Sequence, residues 1–271
     1  MLKQLILWGI LWCCSVGAIG QIPDSIPKTM NTTTMKVEIW SDVMCPFCYI
    51  GKRRFEAALN QFEGNASHIE LIWKSFQLDP DMESDSTKNT YQYLAERKGM
   101  SYEESVRLHQ NVVAMAKEVG LDYHFEKAVV ANSFDAHRLS HLAKAHQLGN
   151  ELEEVLFKAY FTEGKDIADH ETLVQLGVSI GLDEREIREM LASNLYATAI
   201  QADIYEAQQI GVRGVPFFVF DRKYAVSGAQ STEAFLETLN KAYAEWKMAN
   251  PSAQLEVLDG PSCTPDGECV E

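Results

Sequence analysis

Met35-Lys-Val-Glu-Ile-Trp-Ser-Asp-Val-Met-Cys-Pro-Phe-Cys-Tyr-Ile-Gly-Lys-Arg-Arg54 passes from strand to turn to helix in one short run. Val37, Ile39 and Trp40 supply the β-branched and aromatic side chains of a buried strand, and Ser41 and Asp42 supply a turn. From Tyr49 to Gln61 the apolar residues Ile50, Phe55, Ala58, Leu59 and Phe62 recur on one side of a helix. Cys45 and Cys48 therefore sit two residues apart where a strand hands over to a helix, which is the redox arrangement of a Cys-x-x-Cys pair. Placed at the N-cap, Cys45 faces unpaired N–H groups and the positive end of the helix dipole, which favour a thiolate. That thiolate attacks disulfides, and Cys48, one turn further in and covered, can close on it. Pro46 suits the first turn because it has no N–H to leave unsatisfied. Pro46 and Phe47 lie beside the nucleophile, where they tune thiolate stability and can touch substrate. Lys52, Arg53 and Arg54 read as solvated charges on the outer helix face. A structural disulfide or half of a zinc site are the alternatives that the spacing alone leaves open.

The rest of the composition narrows the field. A chain of 271 residues can bury one large core or two joined lobes. A hydrophobic share of 46% and a charged share of 23% are those of an ordinary globular protein. The formal charge of −15 argues against nucleic acid as a partner, because phosphate contacts need a basic face. Residues 1–20 form a basic start, an apolar run and small residues ending at Gly20, which read as a cleaved signal peptide with no integral membrane span in the mature chain. The expected location is periplasmic or secreted; translation from Met30 or Met35 would instead give a cytoplasmic protein. Cys13 and Cys14 fall inside the leader, so the six cysteines reduce to the pairs Cys45/Cys48 and Cys263/Cys269.

Downstream, Ile69, Leu71 and Trp73 alternate within a second strand, His68–Leu78, and complete a βαβ unit. Between Asp79 and Gly211 no convincing strand is found; seven helices are expected, over 90–98, 102–119, 133–148, 151–161, 169–180, 183–191 and 196–209. Strand character returns at Val215–Phe220 and Tyr224–Ser227, joined by a hairpin at Asp221–Lys223, and Ser231 caps a last helix running to Trp246. The expected organisation is a thioredoxin-like part over 36–79 and 212–248, a helical insertion over 80–211, and a flexible tail over 249–271.

This α/β order, with Cys-x-x-Cys early and Gly214-Val-Pro216 late, resembles the thioredoxin fold. The all-α insertion resembles the DsbA family of disulfide oxidoreductases. Ser41–Gly51, Asp135-Ala-His-Arg138, Tyr160-Phe-Thr-Glu-Gly164, Gly214–Phe218 and Ser227–Gln230 resemble its FrnE-like branch. The resemblance implies a thiol–disulfide oxidoreductase acting on protein dithiols and disulfides, with no cofactor and no metal. It implies an unidentified redox partner that recycles the enzyme, with glutathione as a further candidate. It carries Pro216 over as a cis-proline that turns the Val215 backbone toward substrate beside Cys45. It also suggests that His137 and Arg138 line the substrate cleft. Read from spacing alone, His137 and His141 are solvated or capped helix histidines rather than metal ligands, and Glu38 is an edge or solvent-facing glutamate.

Cys263 and Cys269 flank the turn-forming run Thr-Pro-Asp-Gly-Glu and can close a small ring. On a flexible tether they can serve as a secondary redox pair exchanging with Cys45 and Cys48, or merely pin the tail. Two rival functions stay open. One is a glutathione-dependent isomerase or transferase of the 2-hydroxychromene-2-carboxylate isomerase type, whose members typically lack the cysteine pair; the other is a chaperone.

Overall fold

A computed structural model describes residues 34–251, 262–263 and 269–270. The expected leader over 1–20 lies outside these residues. Strand β1 (Met35–Ser41) is followed by α1 (Pro46–Gln61) and by β2 (Ile69–Ser75), which pairs with β1 in parallel from Met35↔Ile69 to Ser41↔Ser75. A short antiparallel pair, β3 (Asp85–Asn89) and β4 (Val129–Val130), then frames α2 (Thr90–Lys98) and α3 (Tyr102–Glu118). This pair corrects the strand-free reading of the insertion. Asp-Ser-Thr-Lys-Asn has no alternating apolar face, and two valines are too short a run to register, so the pairing is a backbone event without a hydrophobic signal.

Helices α4 (Phe134–Ala145), α5 (Gly149–Lys158), α6 (His170–Ser179), α7 (Glu184–Leu191) and α8 (Ala197–Gln209) follow, with a π-helical turn over Ala159–Glu163 after α5. The hairpin β5 (Phe217–Phe220) and β6 (Tyr224–Ser227) and helix α9 (Thr232–Ala249) complete the main body, in which the sheet runs β2-β1-β5-β6. In the tail, β7 (Ser262–Cys263) and β8 (Cys269–Val270) pair antiparallel and set Cys263 opposite Cys269 in backbone register.

Local chemistry explains where the helices begin. Asn89, Ser101, Asp169, Asp183 and Ser231 each accept the N–H three residues ahead, satisfying an otherwise orphaned donor. Asp183→Ala should therefore cost about 1 kcal/mol. Thermal melts would show a loss of about 2–4 °C for a chain of this size, and an unchanged melting temperature would count against the cap.

Central strand β1 is covered on both faces. On one side Phe55 of α1 meets Phe218 of β5, and Phe218 meets Phe235 of α9 with ring centroids 4.6 Å apart. On the other, Trp40 packs with Ala207, Val212 and Val219, and its indole N–H donates to the Asp203 carbonyl at 2.9 Å. This double covering corrects the reading of Glu38, which is only 4% exposed. It shares Trp40's side of the strand, where Arg222 pairs with it and Lys74 lies 3.7 Å away, so its charge is compensated in a largely desolvated position. Arg222 itself sits in the hairpin turn at φ 55° after Asp221 at φ 49°, a left-handed backbone that costs a non-glycine residue roughly 1–2 kcal/mol. Its ion pairs with Glu38 and Glu206 offset that cost.

The cationic run on α1 is likewise not solvated. Lys52 is 3% exposed and reaches Glu56 at 2.5 Å and Glu154 of α5 at 2.7 Å. Arg53 binds the same two carboxylates, and Arg54 donates to the Ala229 carbonyl at 2.6 Å. Helix α5 covers the face that periodicity alone leaves to water. Phe157 stacks on Tyr49 there at 5.1 Å.

Candidate active site

The site is the point where α1 begins. Cys45 is its N-cap residue, with extended backbone (φ −86°, ψ 110°), and its own N–H donates to the Asp42 carbonyl at 2.9 Å. Cys45 and Cys48 are free thiols, 4% and 1% exposed. The Cys45 thiol donates to the Val215 carbonyl at 3.4 Å, and the Val215–Pro216 peptide bond is cis. Four residues of the expected site (Cys45, Cys48, Val215 and Pro216) thus converge from two distant stretches of chain. Pro46 and Phe47 are beside them, Phe47 at 39% exposure.

Burial pushes the Cys48 thiol well above its ordinary value, and its hydrogen bond to Cys45 adds to the shift. The nearby Ser41 hydroxyl and Asp42 backbone act the other way. The two thiols therefore differ in kind: Cys45 faces the Val215 loop, and Cys48 is held protonated behind it.

Several residues to which the sequence assigns no role at the site hold this geometry. The Asp42 carboxylate accepts the Leu78 N–H at 2.7 Å and the Met44 N–H at 3.3 Å, tying the cysteine loop to the segment after β2. Tyr123 donates its hydroxyl to the Pro46 carbonyl at 2.7 Å and stacks on Phe161 at 4.7 Å. No local signal links Tyr123 to Pro46 across that sequence distance. Gly51 carries another constraint: a Cβ there would stand 2.9 Å from the Pro216 ring. An Ala for Gly exchange inside a helix ordinarily adds about 1 kcal/mol of stability. Gly51→Ala should instead lower both stability and disulfide-exchange rate by pushing the Pro216 loop away, and a stabilised, fully active variant would show that the contact is soft.

His137 and Arg138 lie elsewhere than expected. Helix α4 is buried from Ala136 to Ala143, which corrects the solvated reading of His137 and His141. His137 is 3% exposed with Nε2 3.5 Å from Asp42, and His141 lies 3.2 Å from Asp203. Burial works against charge on His137, but the Asp42, Glu153 and Asp203 carboxylates together outweigh it and raise its pKa. The two rings face different carboxylates and do not converge on a common point. Arg138 donates to the carbonyls of Leu195, Ser193 and Met190, closing the turn after α7. Neither His137 nor Arg138 lines the cleft beside Cys45. That cleft, about 690 Å³, opens between Met44–Phe47, α2, α3 and the Gly214–Val215 loop.

A thiol pair at a helix start, facing a cis-proline loop on a four-stranded mixed sheet, defines a protein of the thioredoxin class. The chain belongs to the DSBA-like thioredoxin domain family, whose model matches residues 36–240. It is similar in structure to a protein described as a probable DsbA oxidoreductase from Streptomyces coelicolor, with 38% identity, a TM-score of 0.73, and coverage of 88% of this chain and 99% of that one. An uncharacterized protein of Bacillus subtilis, YwbO, is 25% identical over 76% of this chain and 96% of its own length. The cytosolic disulfide reductase DsbM of Pseudomonas aeruginosa, solved with GSH, shares the fold at 15% identity and a TM-score of 0.53, covering 79% of this chain and 98% of that one. No helix among the described residues is long and apolar enough to cross a membrane.

Proposed function

We propose that the chain catalyses thiol–disulfide exchange on protein dithiols and disulfides, with Cys45 as the attacking or attacked sulfur and Cys48 as the resolving thiol. The observation that carries this reading is the Cys45 thiol at the N-cap of α1, 3.4 Å from the Val215 carbonyl, with Cys48 buried behind it. An extended substrate can pair with the Val215 backbone, bringing its own sulfur to Cys45. Attack forms a mixed disulfide; Cys48 then displaces the substrate thiol and leaves Cys45 and Cys48 joined. The reverse sequence oxidises a substrate dithiol.

Both cysteines being present argues against a glutathione-dependent isomerase, which needs no resolving thiol. Insulin reduction and oxidative refolding of a reduced protein, by wild type and Cys45→Ser, with and without glutathione, form the test. Activity lost in Cys45→Ser supports exchange; isomerase turnover of a chromene substrate that survives the substitution would overturn it. Cys263 and Cys269, opposite each other in the β7–β8 ladder, would hand electrons to or from the first pair. Deleting residues 260–271 should then alter turnover more than melting temperature. The leader reading places the mature protein in the periplasm or outside the cell, and mass measurement of the N-terminus of the cell-produced protein would decide against initiation at Met30 or Met35.

A further inference from the structure

We propose that the cleft beside Cys45 binds small apolar disulfides and thiols that carry an anionic end, so that low-molecular-weight carboxylated disulfides are substrates alongside polypeptides. The proposal rests on the exchange chemistry above and names a substrate class for the same cysteines.

The volume of the cleft, about 690 Å³, is that of a site that encloses a small molecule. Much of its lining is hydrocarbon and thioether, including Met100, Leu108, Val112, Met115 and Phe161. Thioethers adapt to irregular apolar shapes. A polypeptide pushed into that depth would bury backbone N–H and C=O groups with few partners, at a cost of roughly 1–3 kcal/mol each. His109, the one histidine in the lining, donates its Nδ1–H to the Ser105 carbonyl at 2.8 Å, and burial lowers its pKa, so it brings neither charge nor a free donor and leaves only Nε2 as an acceptor. The alkyl part of a small disulfide loses nothing there.

Charge selects the other end of the ligand. Arg97 and Lys98 are exposed and line the cleft. Among the described lining residues the only carboxylate is Asp79, which pairs with Arg97 and accepts the Tyr93 hydroxyl. Lys98 is therefore left as the uncompensated charge of the lining, on a chain whose formal charge is −15. The net charge of the chain disfavours anions in general, and Lys98 supplies a local attraction against it. Lys98, Met100, Met115 and Cys45 all line this one cleft, so a carboxylate, an alkyl arm and a sulfur of one ligand each have a partner within it.

The step balances within the protein. Cys45 thiolate attacks one sulfur of R–S–S–R, the S–S bond breaks, and one RS⁻ leaves and takes up a proton. Cys48, as thiolate, then attacks the Cys45 sulfur and expels the second RS⁻, which is protonated in turn. The disulfide gains two electrons as two thiols, and the Cys45–Cys48 dithiol supplies both.

The test mixes fully reduced protein with dithiodiacetate, dithiodipropionate, dithiodibutyrate, cystamine or insulin, and follows loss of the Cys45 and Cys48 thiols after acid quench and alkylation. Each small-molecule rate constant is divided by that disulfide's rate with free dithiothreitol, which removes intrinsic reactivity. The normalised constant should rise up to about fourfold for each added methylene, the increment for a buried methylene. Cystamine should fall about tenfold below dithiodipropionate, a difference on the scale of one charge interaction at a partly screened surface. In Lys98→Glu that preference should vanish or invert, with the methylene series retained. A flat series, or cystamine oxidising the wild type fastest, overturns the proposal. If insulin oxidises the protein while the series is flat, only the cleft reading falls; if no disulfide oxidises it, the exchange reading falls with it.

Discussion

In the Cys48→Ser protein, mixed disulfides with substrate should accumulate at Cys45 and multiple turnover should fall by about a hundredfold or more. Cys45 keeps its N-cap position and its access to the Val215 loop, so attack continues while the step that releases the adduct is lost. Non-reducing mass spectrometry of trapped adducts, together with insulin turnover, would read both halves. Unchanged turnover without adducts would remove Cys48 from the mechanism. In the wild type the same thiol should set the pH dependence. Burial, the largest cause and the one that persists when Cys45 carries substrate, holds Cys48 above its ordinary value, so the thiolate fraction grows about tenfold per pH unit below that raised value. Decay of a preformed mixed disulfide should therefore keep accelerating through pH 8, with no plateau near a free thiol's pKa of about 8.5. Stability moves oppositely. The folded pKa exceeds the unfolded one, so the folded state holds its proton longer, and the reduced protein loses stability as pH rises above about 8.5. The oxidised protein, having no thiol there, lacks that slope.

Phe157→Ala should remove about 3–5 kcal/mol and lower the melting temperature by about 10 °C. Phe157 is fully buried on α5, stacked on Tyr49 of α1 at 5.1 Å, with Trp73 of β2 at 6.4 Å and Phe161 at 6.4 Å. Cutting it to a methyl opens a cavity between the insertion and the thioredoxin-like part. These two parts contribute to one hydrophobic cluster, which includes Ile39, Phe55 and Phe218 as well as Leu139, Leu156 and Leu173. Wild type and variant should therefore each unfold in one transition. Separate transitions for the helical and sheet-containing parts, or a shift of only a degree or two, would show that the shared core does not couple them.

The β1–α1–β2 unit was legible because its signals are local. A β-branched strand, a turn and a cysteine pair at a helix start are each written within a few residues, and the insertion's helices announce themselves through caps such as Ser101 and Asp183. What was illegible depends on partners far away in the chain. Lys52 and Glu38 look solvent-bound in their own elements, and only α5 and the β5–β6 hairpin bury them. His137 and Arg138 sit on a helix buried all round, where periodicity cannot tell a cleft-facing side from a core-facing one. Tyr123 reaches Pro46 through tertiary folding alone. The cleft walls from α2 and α3 were readable as helices but not as walls, because nothing in their sequence says which face meets the cysteines.

The order of the strands also bears on synthesis. Strand β1 is central, yet its antiparallel neighbour β5 is encoded near the far end of the domain, with Val37 opposite Phe220. As the chain leaves the ribosome, the parallel β1–β2 pair and the thiols at Cys45 and Cys48 emerge long before residues 215–220. Until those residues arrive, one edge of β1 has no strand beside it and Cys45 has no Val215 loop to shield it. Closing such a long loop is slow, and an unpaired central strand is exposed to wrong pairing meanwhile. The newborn chain thus carries a bare, reactive dithiol through most of its translation. A chaperone that covers β1, or surroundings that keep the two thiols reduced, would guard it over that interval.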